Sequence, residues 1–132
     1  MYEKYTMKKL LLTLMLAVAS SSAMAEWVKV SEDKLVAAYA DPTTIRKLGD
    51  KVKMWALWDY STAQEGKSKP YMSVRIQNEY NCKEETSRQI YATTFSGNMA
   101  GGHTINRQGG RPWLPVSQGN TTELLWKFAC GK

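Results

Sequence analysis

The residues of this 132-residue chain whose types could do chemistry are one histidine, two cysteines, a few adjacent carboxylates and a tight group of four cations. His103 follows the glycine-rich stretch Gly97–Gly102. A hydrolytic triad needs a nucleophile in a strained turn such as G-x-S-x-G, and no serine here has that context. Met99, four residues before His103, is the one neighbour that could pair with it towards a haem. Zinc needs three or four clustered ligands, which the chain does not supply. Glu32-Asp33 and Glu84-Glu85 are sequence neighbours, so within a strand or helix they diverge instead of converging on one bond. The expectation is a protein with no catalytic residue, no metal and no cofactor, with His103 at the surface and the carboxylates solvated.

Cys82 and Cys130 lack a C-x-x-C spacing and a companion ligand, so a redox or metal role has no support. An even pair in an exported domain reads as one disulfide. Closing a loop of about 49 residues stabilises a fold by about 4 kcal/mol in the chain-entropy model.

Binding chemistry is better represented. Arg46, Lys47, Lys51 and Lys53 flank a Gly49-Asp50 turn signal, so a hairpin there crowds four cations at its tip. Such a tip could cradle a sulfated glycan or an acidic protein segment, or simply keep a strand edge soluble. Trp55 and Leu57 have the parity opposite to Val52, Met54, Ala56, Trp58 and Tyr60, and Tyr71 and Arg75 share that outward parity on the following strand. Those residues make either an aromatic and cationic patch for protein contact or homodimerisation, or ordinary core under a covered face.

Compartment follows from the first 25 residues. Lys8 and Lys9 precede the hydrophobic stretch Leu10–Ala19, and Ala23-Met24-Ala25 is a small-x-small cleavage pattern, placing the cut between Ala25 and Glu26. Ten residues are too few to cross a bilayer core, which takes about 20. The segment 1–25 is expected to be a cleaved secretory signal and 26–132 a single domain in a disulfide-permissive compartment. The full chain has 18 Lys+Arg and 12 Asp+Glu. The signal removes Lys4, Lys8, Lys9 and Glu3, leaving 15 against 11, or +4. That balance suits an acidic protein patch or anionic polysaccharide, and lacks the dense basic tract of a nucleic-acid binder.

Several elements must position these groups. Trp27–Val30 reads as an opening strand, and Asp33–Ala40 is open between strand and short helix. Asp41-Pro42 disfavours helix at Asp41, so Tyr39–Ile45 is extended. Residues 43–60 read as a hairpin about Gly49-Asp50. Ser61–Pro70 is a polar loop, and Tyr71–Cys82 a strand carrying Met72, Val74, Ile76, Tyr80 and Cys82 on one face. Ser87–Phe95 is a further strand, with helix an option for Lys83–Arg88. Gly97–Gly102 is a flexible connector, and His103–Asn106 a short return strand. Asn120 as N-cap, Glu123 three residues on and Gly131 as stop define a terminal helix. Thr121, Leu124, Leu125 and Phe128 form its apolar stripe. Cys130 lies roughly opposite that stripe, so the last turn is expected to unwind to reach Cys82. The fold class is α+β, an antiparallel β-sheet with a C-terminal α-helix on one face, tethered by the disulfide.

In order, Trp27, Tyr39-Ala40-Asp41-Pro42-Thr43-Thr44-Ile45, Val52–Leu57, Glu79-Tyr80-Asn81-Cys82, Phe95–Met99 with Gly102, Trp113-Leu114-Pro115-Val116, Gly119, Leu124 and Cys130 resemble the surface-adhesin protein E family of bacterial exported proteins. The resemblance spans nearly all of 26–132. It implies an antiparallel sheet with a C-terminal helix, a cysteine bridge, and a cell-surface role, the name-giving member being an adhesin for host extracellular-matrix and serum proteins. The family's founding type is held by a lipidated cysteine at the start of the mature chain, where this chain has Glu26. A periplasmic or secreted protein without a membrane anchor is therefore expected, cell-surface display being the family's alternative. Its function would be to bind a protein or anionic polysaccharide, as an adhesin-like module or as a structural or inhibitory module inside the envelope.

Overall fold

The computed structural model describes residues 25–132; the expected signal sequence, but for Ala25, lies outside them. Seven strands form one antiparallel sheet: β1 (Val28–Glu32), β2 (Val36–Leu48), β3 (Lys51–Gln64), β4 (Tyr71–Asn81), β5 (Thr86–Phe95), β6 (Thr104–Gln108) and the two-residue β7 (Leu114–Pro115). The order is β1-β2-β3-β4-β5-β6, with β7 pairing the start of β5. Helix α1 (Thr121–Cys130) ends the fold.

The segment Asp33–Ala40 resolves as strand. Asp33 turns the chain into β2, its carboxylate accepting the N–H groups of Leu35 and Val36 at 2.7 and 2.9 Å. Those two bonds hold the Asp33 carboxyl below its ordinary pKa. Gly49, at φ +63°, makes the tight turn from β2 to β3, and Leu48 pairs Lys51 across it. Lys83–Glu85 form a turn, not a helix, before β5 begins at Thr86.

Proline interrupts β2, and the strand compensates locally. Pro42 has no N–H for a ladder, and the pairing with β3 shifts between Asp41 and Arg46. Asp41 is buried and accepts the Thr43 N–H and hydroxyl. The Thr44 hydroxyl donates to the Asp41 carbonyl and accepts the Trp55 N–H at 3.0 Å. Side chains thus stand in for the ladder bonds missing at the bulge.

The core lies between one sheet face and α1. Ala40, Val52, Met54, Ala56 and Tyr80 pack against Leu125, Trp126 and Ala129. Val52, Met54 and Ala56 face inward as their parity requires, and Trp58 packs beside them. The helix cap forms as its sequence dictates: the Asn120 side chain accepts the Glu123 N–H at 3.1 Å, and Gly131 ends the helix at φ +69°.

The buried stripe of α1 differs from expectation. Leu125, Trp126 and Ala129 are buried, whereas Leu124 is 43% exposed. The helix is turned by about one residue, ~100°. Two long-range contacts set that rotation. The Trp126 indole N–H donates to the Asn81 carbonyl at 2.9 Å, and Cys130 bonds Cys82 with Cα atoms 5.6 Å apart. Turned this way, Cys130 reaches its partner from within the last turn, and no unwinding is needed.

An aromatic and cationic sheet face

Register places the residues of the face opposite α1, because directly paired residues on antiparallel strands share a face. Tyr39, Leu57, Arg75 and Thr93 form one row across β2–β5. Asp41, Trp55, Gln77 and Tyr91 form the next, and Arg46, Lys53, Glu79 and Arg88 the one nearer the hairpin tip. Lys51 lies beyond, opposite Leu48 and Asn81.

Arg75 is the centre. Its guanidinium carbon lies 5.3 Å from the Trp55 ring centroid and 5.4 Å from that of Phe95. Both rings present π electrons to a delocalised cation, an arrangement worth about 1–2 kcal/mol where water is partly excluded. Its Nε is buried without a hydrogen-bond partner, so the stacking holds the guanidinium where its own hydrogen bonding is incomplete. Trp55 meets Tyr91 edge to face at 6.4 Å. Leu57 is fully buried in this layer while Trp55 and Arg75 remain half-exposed. The face thus has a small core of its own and an aromatic surface above it.

The same pattern repeats nearer the tip. Arg88 pairs with Glu79 at 2.7 Å and lies 4.9 Å from the Trp113 ring, with Lys51 5.6 Å from the same ring. Carboxylates on this face are already engaged. Asp41 is held by Thr43 and Glu79 by Arg88. Asp59 accepts the Asn98 side chain and the Met99 N–H. Among the described residues, Arg46, Lys51 and Lys53 form no ion pair, and all three are exposed.

The structure brings together five of the seven candidate binding residues: Arg46, Lys51, Lys53, Trp55 and Arg75. Lys47 pairs with Val52 and stands on the helix face. Tyr71 also leaves the group. The β3–β4 pairing shifts between Asp59 and Gln64, and Tyr71 packs edge to face on Tyr60 at 5.9 Å. Phe95, Tyr91, Arg88 and Trp113 are the members that sequence reading did not assign to the face. Tyr91 and Phe95 are placed by the pairing of β5 with β4, Arg88 by a register shift between Gln77 and Asn78 that no local signal marks, and Trp113 by its position beside Arg88.

The Gly97–Gly102 segment is folded back against the sheet. Met99 and Ala100 have φ of +55° and +59°, unusual for residues with side chains. Contacts with Asp59 and Ser73 hold them there: Ala100 N–H donates to the Ser73 hydroxyl, which donates to the Gly97 carbonyl. His103 is exposed, and among the described residues no three His, Cys, Asp or Glu side chains are grouped to hold a metal ion. No described helix is long and apolar enough to cross a membrane.

Comparison with known proteins agrees with the fold. The family model for surface-adhesin protein E matches residues 27–131. Crystal form II of Haemophilus influenzae protein E is similar with a TM-score of 0.64 at 15% identity, over 83% of this chain and 90% of that one. A structure of protein E from non-typeable Haemophilus influenzae gives 0.56 at 16% identity, over 83% and 78%. No curated protein matches the chain. At these identities the structural likeness speaks for the fold, and the family model for the lineage. The chain belongs to the surface-adhesin protein E family.

Proposed function

We propose that this protein is an exported, non-enzymatic binding protein that holds an acidic protein surface or anionic polysaccharide on the sheet face opposite its helix. One observation carries the reading: three exposed cations, without a carboxylate partner among the described residues, share one sheet face with a guanidinium held between Trp55 and Phe95 and lie towards the hairpin tip from it. Isolated surface cations attract any anion weakly, but cations beside half-buried aromatic rings combine steering with a surface that can be desolvated.

The test is retention of the exported protein on immobilised heparin. The triple variant Arg46→Gln/Lys51→Gln/Lys53→Gln should elute at distinctly lower salt, while Lys47→Gln, on the other face, should elute like the parent. Equal losses per charge from both faces would reduce the effect to net charge and remove the face from consideration. Trp55→Ala should weaken capture of a protein partner with the circular dichroism spectrum unchanged. Labelling of intact cells with a membrane-impermeant amine reagent separates an adhesin, which would be labelled, from an envelope-internal module, recovered only by osmotic shock.

A further inference from the structure

Helix α1 makes its main contacts with β1–β4. Beyond it, on the same face, a groove of about 430 Å³ lies over β4–β6. That volume falls within the range of small-molecule sites, about 300–1,000 Å³. The groove is on the side of the sheet opposite the Arg75 face, so it is independent of the binding role proposed above.

Its lining has a definite chemistry. Val74 and Ala92 contribute an apolar floor, and Tyr71 forms a wall. That ring is fixed by Tyr60 on one side and by the β3–β4 loop on another. A Cβ at Gly66 would stand only 3.2 Å from the ring and 3.1 Å from the Lys69 carbonyl. Three side-chain amides, Gln89, Asn106 and Gln108, face the groove. Two of these are oriented: Gln89 Nε2 donates to the Gly109 carbonyl at 3.1 Å, and Gln108 Oε1 accepts from Arg111 at 3.2 Å. Lys67, Lys69 and Arg111 stand at the rim against one carboxylate, Glu65.

We propose that this groove binds an anionic oligosaccharide, a short chain of pyranose rings bearing carboxylate or sulfate groups. An aromatic wall and a small apolar floor match the C–H face of a pyranose. Oriented amides supply a donor and an acceptor together, which is what vicinal hydroxyls require. The excess of cations at the rim matches the acidic substituent. A purely apolar ligand would leave the remaining donors and acceptors of these amides unpaired, and a neutral glycan would leave the rim cations unused.

Backbone amide shifts of the 15N-labelled exported protein test the assignment, with three probes: a heparin-derived hexasaccharide for sulfate, hexagalacturonate for carboxylate and maltohexaose as neutral control. At least one anionic probe should shift Gly66, Lys69, Asn106 and Gln108, and the tighter of the two identifies the substituent. Lys67→Gln/Lys69→Gln/Arg111→Gln, all at exposed positions, should weaken that binding at least tenfold. Arg46→Gln/Lys51→Gln/Lys53→Gln should leave it unchanged. Shifts confined to the 46–53 hairpin, equal shifts with maltohexaose, or no groove shifts with any probe would each overturn the proposal.

Discussion

Tyr80 shows how a single buried group links this fold to pH. It is fully buried, its hydroxyl accepts from the Asn78 amide at 3.3 Å, and burial pushes its pKa up to about 12. An unfolded tyrosine titrates near 10. Below about pH 10 both states keep the proton and the full contribution is present. As pH rises towards 12 only the unfolded state releases it, so stability falls by up to about 3 kcal/mol. Tyr80→Phe should lose less melting temperature than the parent between pH 10 and 12, and parallel curves would show that Tyr80 is not the coupling group. Glycine makes a second case at this scale. Gly49 and Gly102 have φ of +63° and +72°, a region that costs a residue with a Cβ about 1–2 kcal/mol. Nothing lies within 4 Å of a Cβ at Gly49, but at Gly102 it would collide with the Ser96 hydroxyl that accepts the His103 N–H. Gly49→Ala should therefore cost about 1 kcal/mol and Gly102→Ala clearly more, compared by urea denaturation; equal costs would mean that the connector yields freely.

At the scale of elements, the helix start is held by two reciprocal bonds. Asn120 accepts the Glu123 N–H, and the Glu123 carboxylate accepts the Gly119 N–H at 2.7 Å while pairing with Lys127 at 3.0 Å. Lys127 and Gly119 hold the Glu123 carboxyl below its ordinary pKa. The stabilisation is present above the ordinary carboxylate pKa and is lost as pH falls through the lowered value. Asn120→Ala should cost about 1 kcal/mol of global stability, because a cap on a helix that covers the core cannot fray alone. A loss seen only in local hydrogen exchange of the first turn would contradict that. This cap was legible in the sequence because all its partners lie within five residues. So were the Gly49-Asp50 turn and the inward parity of Val52, Met54 and Ala56, which need only local geometry. What escaped was set by distant residues. The rotation of α1 depends on Asn81 and Cys82, and the company Arg75 keeps depends on how β3 and β5 pair with β4. Parity along β4 groups Tyr71 with Arg75, whereas the Tyr71 ring packs on Tyr60, and the face of β5 follows only from its pairing with β4. The sheet and helix could be read; the membership of the Arg75 face could be read only in part.

For the whole molecule, stability depends on keeping one helix in place. The sheet is a single layer, and α1 supplies Leu125, Trp126 and Ala129 as the second wall of its main core. Large side chains buried this way contribute about 1.5–3 kcal/mol each, against a typical net stability of about 5–15 kcal/mol for a domain. Three ties hold the helix to the end of β4: Cys130 to Cys82, the Trp126 indole to Asn81, and the Lys132 ammonium to the Cys82 carbonyl at 3.1 Å. Opening the disulfide should therefore act on the whole fold. Restricting a 48-residue separation stabilises by about 4 kcal/mol in the chain-entropy model. The Cys82→Ser/Cys130→Ser variant should lose roughly that amount and still unfold in one transition, with helix and sheet melting together by circular dichroism and tryptophan fluorescence. Helix loss at low urea followed by a separate sheet transition would mean that the Arg75 face, with Leu57 beneath it, can sustain the sheet alone. The opposite outcome makes the two faces one cooperative unit. Reduction would then destabilise the Arg75 face and the groove together, although neither touches the sulfur atoms.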